Sequence, residues 1–123
     1  MPARILITAA LLLGASLAKA SVVEIAWDDE GHFEHVAELA AGGFAEVCGP
    51  LSGQERVQWA FDASAALDFN IHYHEGEQGV YPATFPDAVE KTVELTAPID
   101  QTYCWMWTSR LDVPATVTLR LSH

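Results

Sequence analysis

The chain has 123 residues and carries 17 acidic side chains against six basic ones, a formal net charge of −11 at neutral pH with histidine uncharged. A field of that sign repels phosphate backbones and anionic lipid surfaces, which disfavours nucleic acid and membrane surfaces as partners and leaves cations and basic proteins. The length suits one domain with a modest core of its own.

The first twenty residues, MPARILITAALLLGASLAKA, read as a secretory signal peptide. They have a basic start at Arg4, an apolar run from Ile5 to Leu17, and Ala18-Lys19-Ala20 as a small-x-small cleavage site. The apolar run is short for a membrane span, and no later stretch approaches the roughly 20 apolar residues that a spanning helix needs. Cleavage before Ser21 leaves no N-terminal cysteine for lipid attachment. Residues 21–123 are therefore expected to form a soluble exported domain, and the Ala-rich leader points to a bacterial periplasm. Without the leader, four basic residues (Arg56, Lys91, Arg110 and Arg120) face the same 17 acids, a net charge of −13.

Beyond the leader, period-2 alternation recurs between turn residues, which predicts strands rather than helices. Val22 to Trp27 is a first strand, ended by the acidic turn DDEG. Phe33 to Leu39 fits either a strand or a short helix. Gly42-Gly43 breaks the pattern, Phe44 to Cys48 is extended, and GPLSG turns the chain. In Glu55 to Ala63, Val57, Trp59 and Phe61 point one way and Gln58 and Asp62 the other. In Leu67 to Glu75 the inward set is Leu67, Phe69, Ile71 and Tyr73, and the outward set is Asp68, Asn70, His72 and His74. EGEQG closes that strand, and YPATFPD, with two prolines, is a loop or an edge segment. Lys91 to Ala97, Thr102 to Thr108 and Val113 to Leu121 complete the series. Seven or eight strands without a long helix predict an all-β fold, an antiparallel β-sandwich.

Cys48 and Cys104 are the two cysteines. An even pair in a small exported domain predicts a disulfide rather than a thiol pair kept for metal or redox work. Closing so long a loop is worth about 4 kcal/mol in the chain-entropy account.

The order of these segments resembles the GOLD domain, the β-sandwich of secretory-pathway cargo receptors. The likeness rests on a cysteine leaving an early strand (EVCGPLSGQ), on the strand ALDFNIHYHEG, on the late aromatic strand APIDQTYCWMWTS with the second cysteine, and on the last strand ATVTLRL. It covers roughly Phe44 to Leu121. The resemblance implies a jelly-roll-like sandwich, a Cys48–Cys104 bridge, and a domain that binds proteins rather than catalyses. Those receptors continue into a coiled coil and a transmembrane helix, and this chain stops at His123, so a free-standing exported domain is expected. The sequence is also similar to small exported bacterial proteins that combine a DFNIHYH strand with a YCWMW strand.

Residues i and i+2 of a strand share a face about 7 Å apart, so His72 and His74 are candidate ligands for one copper or zinc ion. Glu75, Glu77 or Asp68 could add oxygen donors, and His32 and His35 could join if their segment pairs alongside. The competing reading is a polar, solvated strand face. In CWMW, Cys104 and Met106 share one face, and Trp105 and Trp107 share the other with Tyr103. Three readings stay open: Cys104 and Met106 enter the core while the aromatics cover the other sheet or a neighbouring strand; a soft cradle for Cu(I) made by Met106 and a tryptophan face near the histidines; or an aromatic platform, with Asn70, Trp105 and Trp107 as binding residues for a sugar, a small ligand or a protein.

Two metal folds are set aside. A cupin needs glycine before its H-x-H and a glutamate further on; here Ala66 stands at the glycine position, Glu77 comes one position early, and no histidine lies between His74 and His123. A blue-copper site needs a free cysteine followed at a distance by histidine and methionine, and Met106 follows Cys104 too closely. No Gly-rich phosphate loop, G-x-S-x-G or H-E-x-x-H is present, so no catalytic residue is assigned.

Overall fold

The computed structural model describes residues 21–123; the predicted signal peptide lies outside the described residues. Seven strands and no helix make up this part of the chain. They are β1 (Ser21–Glu24), β2 (His32–Leu39), β3 (Phe44–Leu51), β4 (Arg56–Glu75), β5 (Gln78–Thr96), β6 (Gln101–Thr108) and β7 (Ala115–Ser122).

The sheet is organised by β4, whose 20 residues pair with three other strands. One edge of β4 runs against β5 for most of its length. The other edge is divided: Gln58 to Ala63 pair with β7, and Asp68 to His72 pair with β6. Between the two halves lies Ala63-Ser64-Ala65-Ala66, and the register with β5 shifts between Asp62 and Leu67. Small side chains and an irregular ladder let a strand turn a corner there. The chain thus curls one sheet, of order β1-β3-β6-β4-β7-β2 with β5 beside β4, so that its halves face each other.

Aromatic contacts fill the space between the halves. Trp59 and Phe61, before the corner, meet Phe69, after it, at ring-centroid distances of 5.0 and 4.7 Å, and Phe61 meets Trp107 of β6 edge-on at 5.5 Å. Val57, Leu67, Ile71, Tyr103, Trp105, Leu119 and Leu121 belong to the same core. Tilted and edge-on pairs suit the ring quadrupole and add to the area they bury.

Several expectations change. The strands read separately as Glu55–Ala63 and Leu67–Glu75 are one strand, and YPATFPD joins Lys91–Ala97 in β5, which among the described residues pairs with β4 alone; Pro82 and Pro86 are tolerated on such an edge. Phe33 to Leu39 lies in a strand, because its alternate residues pack inward against the core while Glu34, Val36 and Glu38 face water. The sheet is mixed rather than purely antiparallel, since β1 runs parallel to β3. Gly49 on β3 permits this approach: a Cβ there would stand 2.9 Å from Ile25 Cδ1, just after β1. The predicted bridge between Cys48 and Cys104 is present, between residues directly opposite in the β3–β6 ladder.

Phe69 touches rings from both halves, so Phe69→Ala leaves a cavity at the centre of the curl. It is expected to cost about 3–5 kcal/mol, read as a lower midpoint of urea unfolding with little change in slope.

Candidate functional site

The outward face of β3, β6 and the second half of β4 forms a small grid. In one row Cys48, Cys104 and His72 are paired across the three strands; in the next row stand Glu46, Met106 and Asn70. The alternation that sends Leu67, Phe69, Ile71 and Tyr73 into the core puts Asn70, His72 and His74 on this face. The CWMW strand therefore does lie beside the histidine strand.

His72 was expected on the outward face, either as a metal ligand or as solvated surface, and on that face it is only 4% exposed. The neighbouring strand supplies the cover. A register shift between Ile71 and Tyr73 re-aims β5, and the Tyr81 ring comes to 5.7 Å from that of His72. Gly79 makes room for this ring, because a Cβ there would meet Tyr81 Oη at 2.9 Å. The His74 ring lies on another side, at 5.1 Å.

His72 is also held in orientation. Its Nδ1 donates to Asn70 Oδ1 at 2.7 Å; a carbonyl oxygen only accepts, so the proton sits on Nδ1. In the neutral ring this leaves the Nε2 lone pair free, and Nε2 faces Glu46 Oε1 at 3.9 Å. That distance is too long for a hydrogen bond. Glu46 Oε2 in turn lies 3.7 Å from Cys48 Sγ, a contact rather than a hydrogen bond, because a disulfide sulfur has no proton to donate. Burial is the main influence on the His72 pKa and pulls it below the usual histidine range; Glu46 works against this, and His74 adds to it. The lowered pKa favours the neutral form of the ring.

The other expected residues divide. Met106 shares the grid and is half-buried, and His74 is exposed beside His72. Glu75 and Glu77 are exposed, Glu75 at the end of β4 opposite Gln78 and Glu77 in the turn beyond. Asp68 is committed elsewhere: Arg110 Nε lies 3.1 Å from its carboxylate, and Asp87 N–H donates to it. His32 and His35 lie on β2, which β7 separates from β4, so they cannot join His72. Trp105 and Trp107 are fully buried at 0% exposure and offer no binding platform; on β6 they face the core, whereas Cys104 and Met106 face outward, the reverse of the expected packing. Sequence reasoning missed Glu46 and Tyr81. Glu46 was within reach of it, since a residue two before Cys48 must share the face of the bridge, whereas Tyr81 reaches the site only through the irregular register of β5.

No protein-family model matches the sequence, and no curated protein matches it by sequence. Among solved structures, the fold is similar to PliG of Aeromonas hydrophila, a periplasmic lysozyme inhibitor of g-type lysozyme (10% identity, TM-score 0.64, 85% of this chain and 96% of that one). It is similar to the pre-peptidase C-terminal domain of Bacillus anthracis collagenase (10% identity, TM-score 0.56, 86% and 97%). It is also similar to CorA of Methylomicrobium album BG8, a surface-associated copper-binding protein (9% identity, TM-score 0.50, 84% and 98%). These likenesses concern the fold. They support a small β-rich domain and do not confirm the GOLD resemblance.

The depressed pKa of His72 predicts a pH dependence of stability. The unfolded chain takes up the proton near 6.5, before the folded one does, so acidification below about 6.5 favours unfolding and the contribution of His72 is retained above it. Urea midpoints of the metal-free protein should fall with pH in that range more steeply than those of His72→Gln, which lacks the titrating ring.

Proposed function

We propose that this chain is an exported, non-catalytic binding module whose ligand is a transition-metal ion, copper or zinc, held by His72 Nε2 and the Glu46 carboxylate. The observation that carries this reading is the buried imidazole with Nδ1 fixed by Asn70 and Nε2 turned towards an oxygen 3.9 Å away. Two donors about 2.0–2.2 Å from a shared ion span a similar distance, so little movement is needed to place one between them. Without a ligand, Asn70 offsets only part of the desolvation of His72 and none of that of the partly buried Glu46; with one, Asn70 is the hydrogen-bond partner that ligating histidines usually have.

His74 and Met106 are the further donors within the same face. Imidazole nitrogen suits copper and zinc alike, a thioether favours Cu(I), and a carboxylate favours the harder ions. The ion would be carried or stored. The shared fold with a copper-binding surface protein, and with periplasmic inhibitors, supports an exported binding role in the periplasm.

Isothermal titration of residues 21–123 with Cu(I), Cu(II) and Zn(II) tests the reading. Binding with a dissociation constant of about 1 μM or tighter is expected for at least one ion, at least about tenfold weaker in His72→Ala and Glu46→Gln. Asn70→Ala should weaken it by about 10- to 100-fold without removing a ligand atom. Wild type that binds none of the three sinks the proposal.

A second reading is a protein partner, as the GOLD resemblance implies, and the observation favouring it is the charge: four basic residues against 17 acidic ones beyond the predicted leader. A cationic protein would be drawn to such a surface, and association would slow as salt is raised. Here g-type lysozyme is the first probe. Inhibition of its activity at a one-to-one ratio, relieved by salt, would favour this reading; unchanged activity removes lysozyme as the partner.

A further inference from the structure

The sulfur of Cys104 belongs to the same face, and the donor atoms of Glu46, His72 and Cys104 all lie within 4.8 Å of one another. In the disulfide this sulfur has no thiolate to offer, so the oxidised chain presents nitrogen, carboxylate and thioether donors only. Building on the metal reading above, we infer that reduction of the Cys48–Cys104 bridge turns this face into a different metal site, in which the Cys104 thiolate joins His72 and Glu46.

The strands keep the sulfur in place once the bond is cut. Cys48 and Cys104 face each other in the middle of the β3–β6 ladder, which runs from Phe44 opposite Thr108 to Leu51 opposite Gln101. On its other edge, β6 is paired with β4 from Asp68 opposite Thr108 to His72 opposite Cys104. Backbone bonding on both sides of the bridge thus fixes Cys104 beside His72 whatever its oxidation state.

Access favours the required direction of attack. Cys48 is half-buried and Cys104 is buried, so an incoming dithiol, such as that of a thiol–disulfide reductase, meets Cys48 first. Its thiolate attacks Cys48 Sγ, the Cys48–Cys104 bond breaks, and Cys104 leaves as the thiolate. The second thiol of the dithiol then attacks the mixed disulfide and releases Cys48. The dithiol loses two electrons and becomes a disulfide, and the two protein sulfurs gain them. Of the two protons the dithiol gives up, one ends on Cys48. The other ends on Cys104, or in solvent when a metal ion takes the thiolate. A thiolate ligand shifts preference towards soft ions such as Cu(I) and towards zinc, so the redox state of one bond would set which ion is held and how tightly.

Cobalt(II) is the probe, because thiolate coordination gives sulfur-to-metal charge-transfer absorption that nitrogen and oxygen donors do not. The protein of residues 21–123 is titrated oxidised, and again after reduction by a phosphine, which brings no competing thiol. The bands are expected only after reduction, with at least about tenfold tighter cobalt binding. Cys48→Ser, which frees Cys104, should show them with no reductant, and reduced Cys104→Ser should not. Absence of the bands from both reduced wild type and Cys48→Ser, or equal bands in Cys104→Ser, overturns the inference. If Cys48→Ser does not fold, reduced wild type decides, with circular dichroism as the check on its fold; an unfolded reduced chain also overturns the inference, which needs the ladder to hold. Metal binding by the oxidised chain without bands after reduction leaves the metal reading standing alone. Bands after reduction, with no binding of any ion by the oxidised chain, keep the thiolate site and sink the other.

Discussion

Everything in this molecule depends on β4 keeping its inward phase around a corner. From Val57 to Phe61 and again from Leu67 to Tyr73, odd-numbered residues face the core, although the register with β5 slips between the two stretches. Because the phase survives, Trp59 and Phe61 meet Phe69 across the interior and one strand serves both halves of the curl. The corner is built from alanines and a serine, which present no bulk to either side. A change of phase there would send the rings of the second half into water and turn Asn70 and His72 inward.

The same phase builds the outward face, where the energetics run the other way. The inner face gains by burying Phe61, Phe69 and Ile71; the outer face buries His72 at a cost, since an imidazole taken out of water loses hydration. That cost is met in part by Asn70 on one nitrogen, while the other faces a carboxylate across a gap. The net negative charge of the chain attracts cations rather than anions to this face. Arg110 is paired with Asp68 and Asp87 rather than with Glu46. Exposed pairs of that kind add little stability, but they decide which carboxylates remain free.

The degree to which the site was legible in the sequence follows from the range of the interactions involved. The alternation of LDFNIHYH depends only on neighbours along one strand, and it correctly gave Leu67, Phe69, Ile71 and Tyr73 to the core. The burial of His72 depends on Tyr81, which arrives from a strand whose register is broken, and alternation holds no information on that. The two tryptophans show the converse limit. Their separation from Cys104 and Met106 was readable, but which of the two faces was inside could be settled only by the partner strands of β6.

By itself the sequence determined an all-β domain, its acidic charge, a cysteine pair suited to bridging, and the division of each strand into two faces, because these rest on composition and on spacing of two residues. The tertiary structure alone decided that β4 would curl the sheet, that His72 would be covered, and that Glu46, Cys104 and His72 would converge. Those outcomes come from pairings between segments tens of residues apart, where the gain is shared among strands and no local stretch records it.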